Sequence, residues 1–98
     1  MFYTMAFYTY IMASKRNGTL YTGQTDNMSA RISQHQQGLR YGFTHKYGVN
    51  TLVWFEVHDS RLGAVAQERR IKKWNRAWKI ELIERFNPGW EDLSPRFY

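Results

Sequence analysis

Ninety-eight residues are enough for one domain with a modest core and leave no room for a second. Four tryptophans, seven tyrosines and six phenylalanines make that core feasible, because each ring buries a large area. With no cysteine the chain has neither a disulfide framework nor a thiolate metal site, and its formal net charge of +6 favours polyanionic partners, nucleic acid the commonest of them.

Residues 1–5 read as an extension, since the tripeptide Phe2-Tyr3-Thr4 recurs at Phe7-Tyr8-Thr9 with Met5-Ala6 between, and residues 6–98 as the single domain. The start lacks a charged region ahead of an apolar one, and no apolar run approaches the ~20 residues of a membrane helix. A cytoplasmic protein that does not enter the membrane is expected. Tyr8, Tyr10 and Met12 alternate in an aromatic and apolar run, the period of a strand face. Lys15-Arg16-Asn17-Gly18 supplies a polar turn with a strong hairpin dipeptide. Thr19 to Gly23 returns as a second strand, rich in β-branched and aromatic residues.

Thr25 or Asp26 can then cap a helix over Asn27 to Gln37, with Gly38 as its stop. On that helix Arg31 and His35 stand four apart and share a face. Gly38 to Gly48 reads as an ordered loop in which Arg40, His45 and Lys46 alternate with aromatics. Arg40 and Lys46 are either surface residues or contacts to a phosphate backbone. Thr51 to Val57 is a third strand, with Leu52, Trp54 and Glu56 on one face and Val53, Phe55 and Val57 on the other. The stretch after it offers a helix cap at His58-Asp59-Ser60.

Arg61 to Trp74 follows the helical period through Leu62, Val65, Ala66 and Arg69. Glu68 borders its apolar stripe and is expected to be partly buried and to need a partner. A break at Asn75 or Arg76 precedes a third helix, Ala77 to Phe86, with Ile80, Leu82 and Ile83 facing inward. Asn87-Pro88-Gly89 ends it, because a residue before proline avoids the helical region. Trp90, Leu93, Phe97 and Tyr98 are expected to fold back onto the body. Arg69, Arg70, Lys72, Lys73, Arg76 and Lys79 form the strongest basic run, read as a ridge that tracks phosphates with salt-sensitive binding. Trp74 and Trp78, which interrupt it, are read as core.

Tyr8-Thr9-Tyr10 and Tyr21-Thr22-Gly23, at their spacing, with Arg31 and His35 on the first helix and Glu68 on a later one, resemble the GIY-YIG nuclease superfamily. The likeness covers most of the chain and is nearest to small single-domain bacterial members. Tyr8 and Thr9 stand where Gly and Ile are usual, Thr22 replaces Ile, and Gln24 stands where some DNA-repair members carry lysine. The resemblance implies an α/β (α+β) domain, a small antiparallel three-stranded sheet flanked by three helices. It implies a metal-dependent endonuclease with Tyr10, Tyr21, Arg31 and His35 catalytic and Glu68 holding the metal.

The chemistry suits those residue types. Phosphodiester hydrolysis needs a nucleophilic water, positive charge on the pentavalent oxygens and help for the leaving oxygen, and a divalent ion serves the last two. Mg²⁺ (or Mn²⁺) needs only one or two carboxylates, so Glu68 suffices. Arg31 would clamp the phosphate through its planar fork, Tyr10 or Tyr21 would take the proton from water, and His35 could share that work. Singly, the tyrosines also fit core aromatics, Arg31 and His35 a solvated face, and Glu68 a surface acid. It is the joint spacing that favours a site. The expected partner is DNA, bound through Arg40, Lys46, Arg69, Lys72, Lys73 and Arg76. With no accessory DNA-reading domain, structure rather than sequence selectivity is expected, in repair or recombination, unless a protein partner supplies more. The alternatives are a nucleic-acid-binding module of the same fold without hydrolysis, and a protein-interaction module using the aromatic surface and tail.

Overall fold

The computed structural model describes residues 6–37 and 46–98. Three strands, β1 (Phe7–Ala13), β2 (Leu20–Thr25) and β3 (Thr51–His58), form one antiparallel sheet in the order β2-β1-β3. Helix α1 (Met28–Gln36) follows the hairpin, α2 (Arg61–Lys72) and α3 (Arg76–Phe86) follow β3, and a 3-10 turn spans Ser94–Phe97. The three-stranded sheet flanked by α1, α2 and α3 is, among the described residues, the expected α+β architecture. Of the expected features, the helix stop at Gly38, the first part of the Gly38–Gly48 loop including Arg40 and His45, and the extension at residues 1–5 lie outside the described residues.

The sheet separates two apolar clusters because its central strand is apolar on both faces. Tyr10 and Met12 point to one side, where Met28 and Ile32 of α1, Val49, Leu52 and Leu93 cover them. Ile11 and Ala13 point to the other, against Val53, Trp54, Ile71 of α2, Ile83 of α3 and Trp90. Strand β3 does not keep the simple alternation expected of it. Ile11 pairs with Trp54 but Met12 with Leu52, so Val53 is an extra residue at a β-bulge. The bulge resets the pleat and puts Val53 and Trp54 in the same cluster, with Leu52 and Phe55 in the opposite one.

The helix starts are set by side-chain caps. Asn27, rather than Thr25 or Asp26, caps α1 by accepting from the Ala30 N–H at 3.1 Å. Thr25 instead accepts from the Asn27 N–H, and Asp26 pairs with Arg61 at 2.6 Å. Ser60 caps α2 as expected, accepting from Gly63 N–H, and Asn75 caps α3 through Trp78 N–H. The buried stripe of α2 is narrower than its sequence suggests: Ala64 and Ile71 are buried, while Leu62 is 79% exposed and Ala66 is exposed. Trp90 and Leu93 fold onto the core and Phe97 is half-buried, but the Tyr98 ring lies on the surface.

Candidate active site

The hairpin brings the two tripeptides together, pairing Tyr10 with Gly23 and Met12 with Tyr21 across β1 and β2. Residues opposite one another on antiparallel strands share a face, so Tyr10, Gly23 and Tyr21 all face α1. Here glycine is required by space. A Cβ at Gly23 would lie 2.6 Å from the Tyr10 hydroxyl oxygen and 2.7 Å from Cζ, so the Tyr10 ring lies across a notch that only a hydrogen leaves open. Nothing in the spacing of the tripeptides revealed this contact; a glycine cross-strand from a tyrosine is the signal that could have.

His35, on the last turn of α1, completes the group. Its Nε2 lies 3.3 Å from the Tyr10 hydroxyl, and its ring centroid stands 5.4 Å from that of Tyr21 and 6.0 Å from that of Tyr10. The residue is 5% exposed, and desolvation by burial lowers its pKa from 6.5, so the imidazole is neutral at pH 7. Its Nδ1 is buried without a hydrogen-bond partner among the described residues. Arg31 is partly buried one turn earlier on α1, on the same face by helical spacing.

Glu68 reaches the group through Lys72. The Glu68 side chain is 18% exposed, and Lys72 Nζ lies 3.5 Å from its Oε1, four residues on along α2. The same ammonium stands 6.0 Å from the centroid of the Tyr21 ring, a cation–π distance. Because β2 is an edge strand, a lysine on α2 can meet Tyr21 there. The partly buried acid with a partner expected from the sequence is therefore found, and its partner links it to the second tyrosine.

Of the altered tripeptide positions, Thr9 and Thr22 lie on the other face, while Tyr8 stays on the face of Tyr10. Thr9, paired with Gln24, donates its hydroxyl to the Ala64 carbonyl at 2.9 Å. With its one proton committed, Thr9 Oγ1 accepts from His58 at 3.1 Å, which assigns a proton to His58 Nε2. Glu56 Oε1 lies 3.1 Å from the same nitrogen. Thr22, paired with Ile11, is buried on that face too. Tyr8 packs edge-on against Phe97 and Phe55 at 5.5 and 6.3 Å.

The basic residues divide by what they touch. Arg76 is tied to the β1–β2 turn, donating at 2.6 Å to the carbonyls of Asn17 and Gly18. Lys46 is exposed and lies over the ring of Tyr47. Arg69, Arg70 and Lys73 are exposed. Trp74 is half-buried beside the second cluster, whereas Trp78 is 56% exposed, against its reading as core. It stands edge-on to Trp74 at 6.2 Å.

Residues 6–81 match the model of the GIY-YIG catalytic domain, a family made up of nucleases. The chain is 40% identical over 83 residues to a UPF0213 protein of Syntrophus aciditrophicus, an alignment covering 83% of this chain and 92% of that one. It is 38% identical over 76 residues to a UPF0213 protein of Clostridium perfringens, covering 78% and 81%. The solution NMR structure of a UPF0213 protein from Bacillus halodurans superposes with a TM-score of 0.56 at 28% identity, covering 90% of this chain and 93% of that one. With the fold, the two tripeptides and these relatives in agreement, the chain belongs to the GIY-YIG catalytic-domain family, among its UPF0213 proteins.

Proposed function

We propose that this protein is a divalent-metal-dependent DNA endonuclease, selective for DNA structure rather than sequence and serving repair or recombination. The observation that carries the reading is the continuous set from Tyr10 through His35 and Tyr21 to Lys72 and Glu68. Two hydroxyl-bearing rings and a neutral imidazole neighbour one another, and Lys72, 6.0 Å from the Tyr21 centroid and 3.5 Å from Glu68, connects them to one carboxylate. A water over the rings would lose its proton to Tyr21, which is half-buried, or to the more deeply buried Tyr10 as the Tyr10 proton passes to His35 Nε2, which burial keeps neutral and able to accept. Arg31 and Lys72 supply positive charge for the phosphate, the arginine through two parallel donors.

Among the described residues no three acids or histidines gather as an all-protein cage would need. One partly buried carboxylate, whose Lys72 partner at 3.5 Å an ion would displace, fits Mg²⁺ or Mn²⁺ of the kind that keeps most of its waters and takes its other oxygens from substrate. Bound at Glu68, such an ion would supply charge to the pentavalent oxygens and to the leaving oxygen. The reading of a module that binds without cutting rests on the altered tripeptides and Gln24. Thr9 and Thr22 point away from the rings, and Tyr8, on the face of the rings, packs against Phe55 and Phe97 instead of the Tyr10–His35–Tyr21 group, which favours the endonuclease.

The test is cleavage of branched, nicked and single-stranded DNA with Mg²⁺ or Mn²⁺ by the wild type, Glu68→Ala and Arg31→Ala. Removing a group that stabilises the transition state typically costs ~10²–10³ in rate, and a loss of that size is expected in both variants. Unchanged cutting in both would remove the assigned site. DNA binding without product at any metal concentration would establish the binding module instead.

A further inference from the structure

One surface of the molecule is not used by the proposed chemistry. Between α2 and α3 lies an open groove of about 580 Å³ lined by Ala66, Arg69, Arg70, Lys73, Trp74 and Trp78. Its volume falls within the range of ligand-holding clefts, ~300–1,000 Å³. Three of the six lining residues are cationic and none is acidic, and no carboxylate among the described residues pairs with Arg69, Arg70 or Lys73. Arg70 is braced by Gln67 at 2.7 Å, which leaves Arg69 and Lys73 with the uncommitted charge. Trp74 is anchored in the second cluster and holds the Trp78 indole edge-on, so an exposed aromatic surface is presented by a fixed support.

The opposite flank of the tryptophan pair differs. The recess there is lined by Trp74, Trp78, Glu81, Leu82 and Arg85, and Glu81 and Arg85 neutralise each other at 2.6 Å. Charge therefore selects one side of Trp78 for an anion. On a helix with 100° per residue, Arg69 is about 100° and Lys73 about 140° round from Glu68, an arc of roughly 10–15 Å on a helix ~10–12 Å across. One strand can pass from Glu68 into the groove.

We propose that this groove binds an unpaired segment of nucleic acid, one base stacking on Trp78 while Arg69 and Lys73 hold the flanking phosphates. A duplex keeps its bases stacked on each other and offers no ring face to an indole, whereas a single strand does. The proposal rests on the endonuclease reading for its relation to Glu68, and it names what that reading leaves open, namely that the preferred substrate carries unpaired nucleotides beside the bond that is cut. An acidic protein segment is the competing occupant.

The experiment is tryptophan fluorescence titration of the whole protein with oligothymidylate of roughly a dozen nucleotides, within the span of single-strand sites. A duplex of the same length and a glutamate-rich peptide serve as the other probes, applied to wild type, Trp78→Ala and Trp78→Phe. Trp54 and Trp90 are buried, so quenching by a stacked base reports on the groove's own pair, Trp74 and Trp78, and the part lost in Trp78→Phe belongs to Trp78. Stacking of ~1–3 kcal/mol per base corresponds to about a 5- to 150-fold loss of oligothymidylate affinity in Trp78→Ala, with most of it restored in Trp78→Phe and a much smaller change for duplex. Absent quenching, equal losses for single strand and duplex, or tighter Trp78-dependent binding of the peptide would each overturn the groove. Cleavage measured in parallel separates the two readings. Trp78-dependent oligothymidylate binding without metal-dependent cutting keeps the groove and ends the endonuclease; Glu68-dependent cutting with unaltered oligothymidylate binding by Trp78→Ala does the reverse.

Discussion

Replacing Gly23 by alanine tests the geometry of the site with one methyl group. The new Cβ would lie 2.6 Å from the Tyr10 hydroxyl oxygen, against at least 3.4 Å for ordinary contact, so the ring tip must retreat by about 0.8 Å. Tyr10 is 1% exposed and packed among Met12, Met28 and Ile32, which leaves no slack on its far side. Overpacking of this kind costs ~1–3 kcal/mol, offset by ~0.4–1 kcal/mol because alanine has less chain entropy to lose than glycine. At the middle of both ranges the net loss is about 1.3 kcal/mol, a fall in Tm of about 5–10 °C for a domain of this size. Displacement of a reacting group by ~1 Å costs ~10²-fold in rate, so DNA cutting should fall by about that factor. Adding Tyr10→Phe to Gly23→Ala removes the nearest atom but leaves Cζ at 2.7 Å, so it should recover only part of the lost stability. Thermal melting by circular dichroism reads the stability without reference to any activity. A Gly23→Ala protein that melts within about 2 °C of wild type and cuts at the wild-type rate would refute the notch.

Burial holds the folded pKa of His35 below 6.5, so between the two values the unfolded chain binds the extra proton. Stability should accordingly be full above pH 6.5, fall as pH drops below it, and level off below the folded pKa, with a slope of at most ~1.4 kcal/mol per pH unit. Urea unfolding across that range should show His35→Gln with the shallower slope, and identical slopes would refute the assignment. Thr9→Val, nearly isosteric, should cost about 1 kcal/mol by losing the bonds to Ala64 and His58; urea midpoints unchanged with the same slope would show that those bonds contribute nothing net.

Much of the fold was legible because its signals are local. Ser60 and Asn75 cap helices where polar residues precede apolar periodicity, and the hairpin turn stands at Asn17, whose φ of +57° is a conformation asparagine tolerates. Local signals fail where neighbours compete: Thr25, Asp26 and Asn27 are all capping types, and only the hydrogen bond to Ala30 decides for Asn27. The bulge at Val53 leaves no trace in composition, since one extra apolar residue in an apolar strand changes neither length nor propensity. Helical period says which residues share a face but not how wide the covered face is, so Leu62 and Trp78 were assigned too much burial. In the site, the Glu68–Lys72 pair follows from four-residue spacing. The approach of Lys72 to Tyr21 joins elements distant in sequence and could come only from tertiary structure.

The two faces of the hairpin divide the work. Tyr10, Gly23 and Tyr21 face α1 and carry the rings; Thr9 and Thr22 face α2 and carry none of them. Thr9 grips α2 at the Ala64 carbonyl, one helical turn before Glu68. The strand that presents Tyr10 therefore also fixes the height of the carboxylate on its helix. An aliphatic residue at position 9 could press α2 against the sheet but could not set its position along the axis, because apolar contact is non-directional whereas a hydrogen bond to one carbonyl is directional. The threonine thus sets α2 by direction rather than by shape, and it does so on the face away from the Tyr10 and Tyr21 rings.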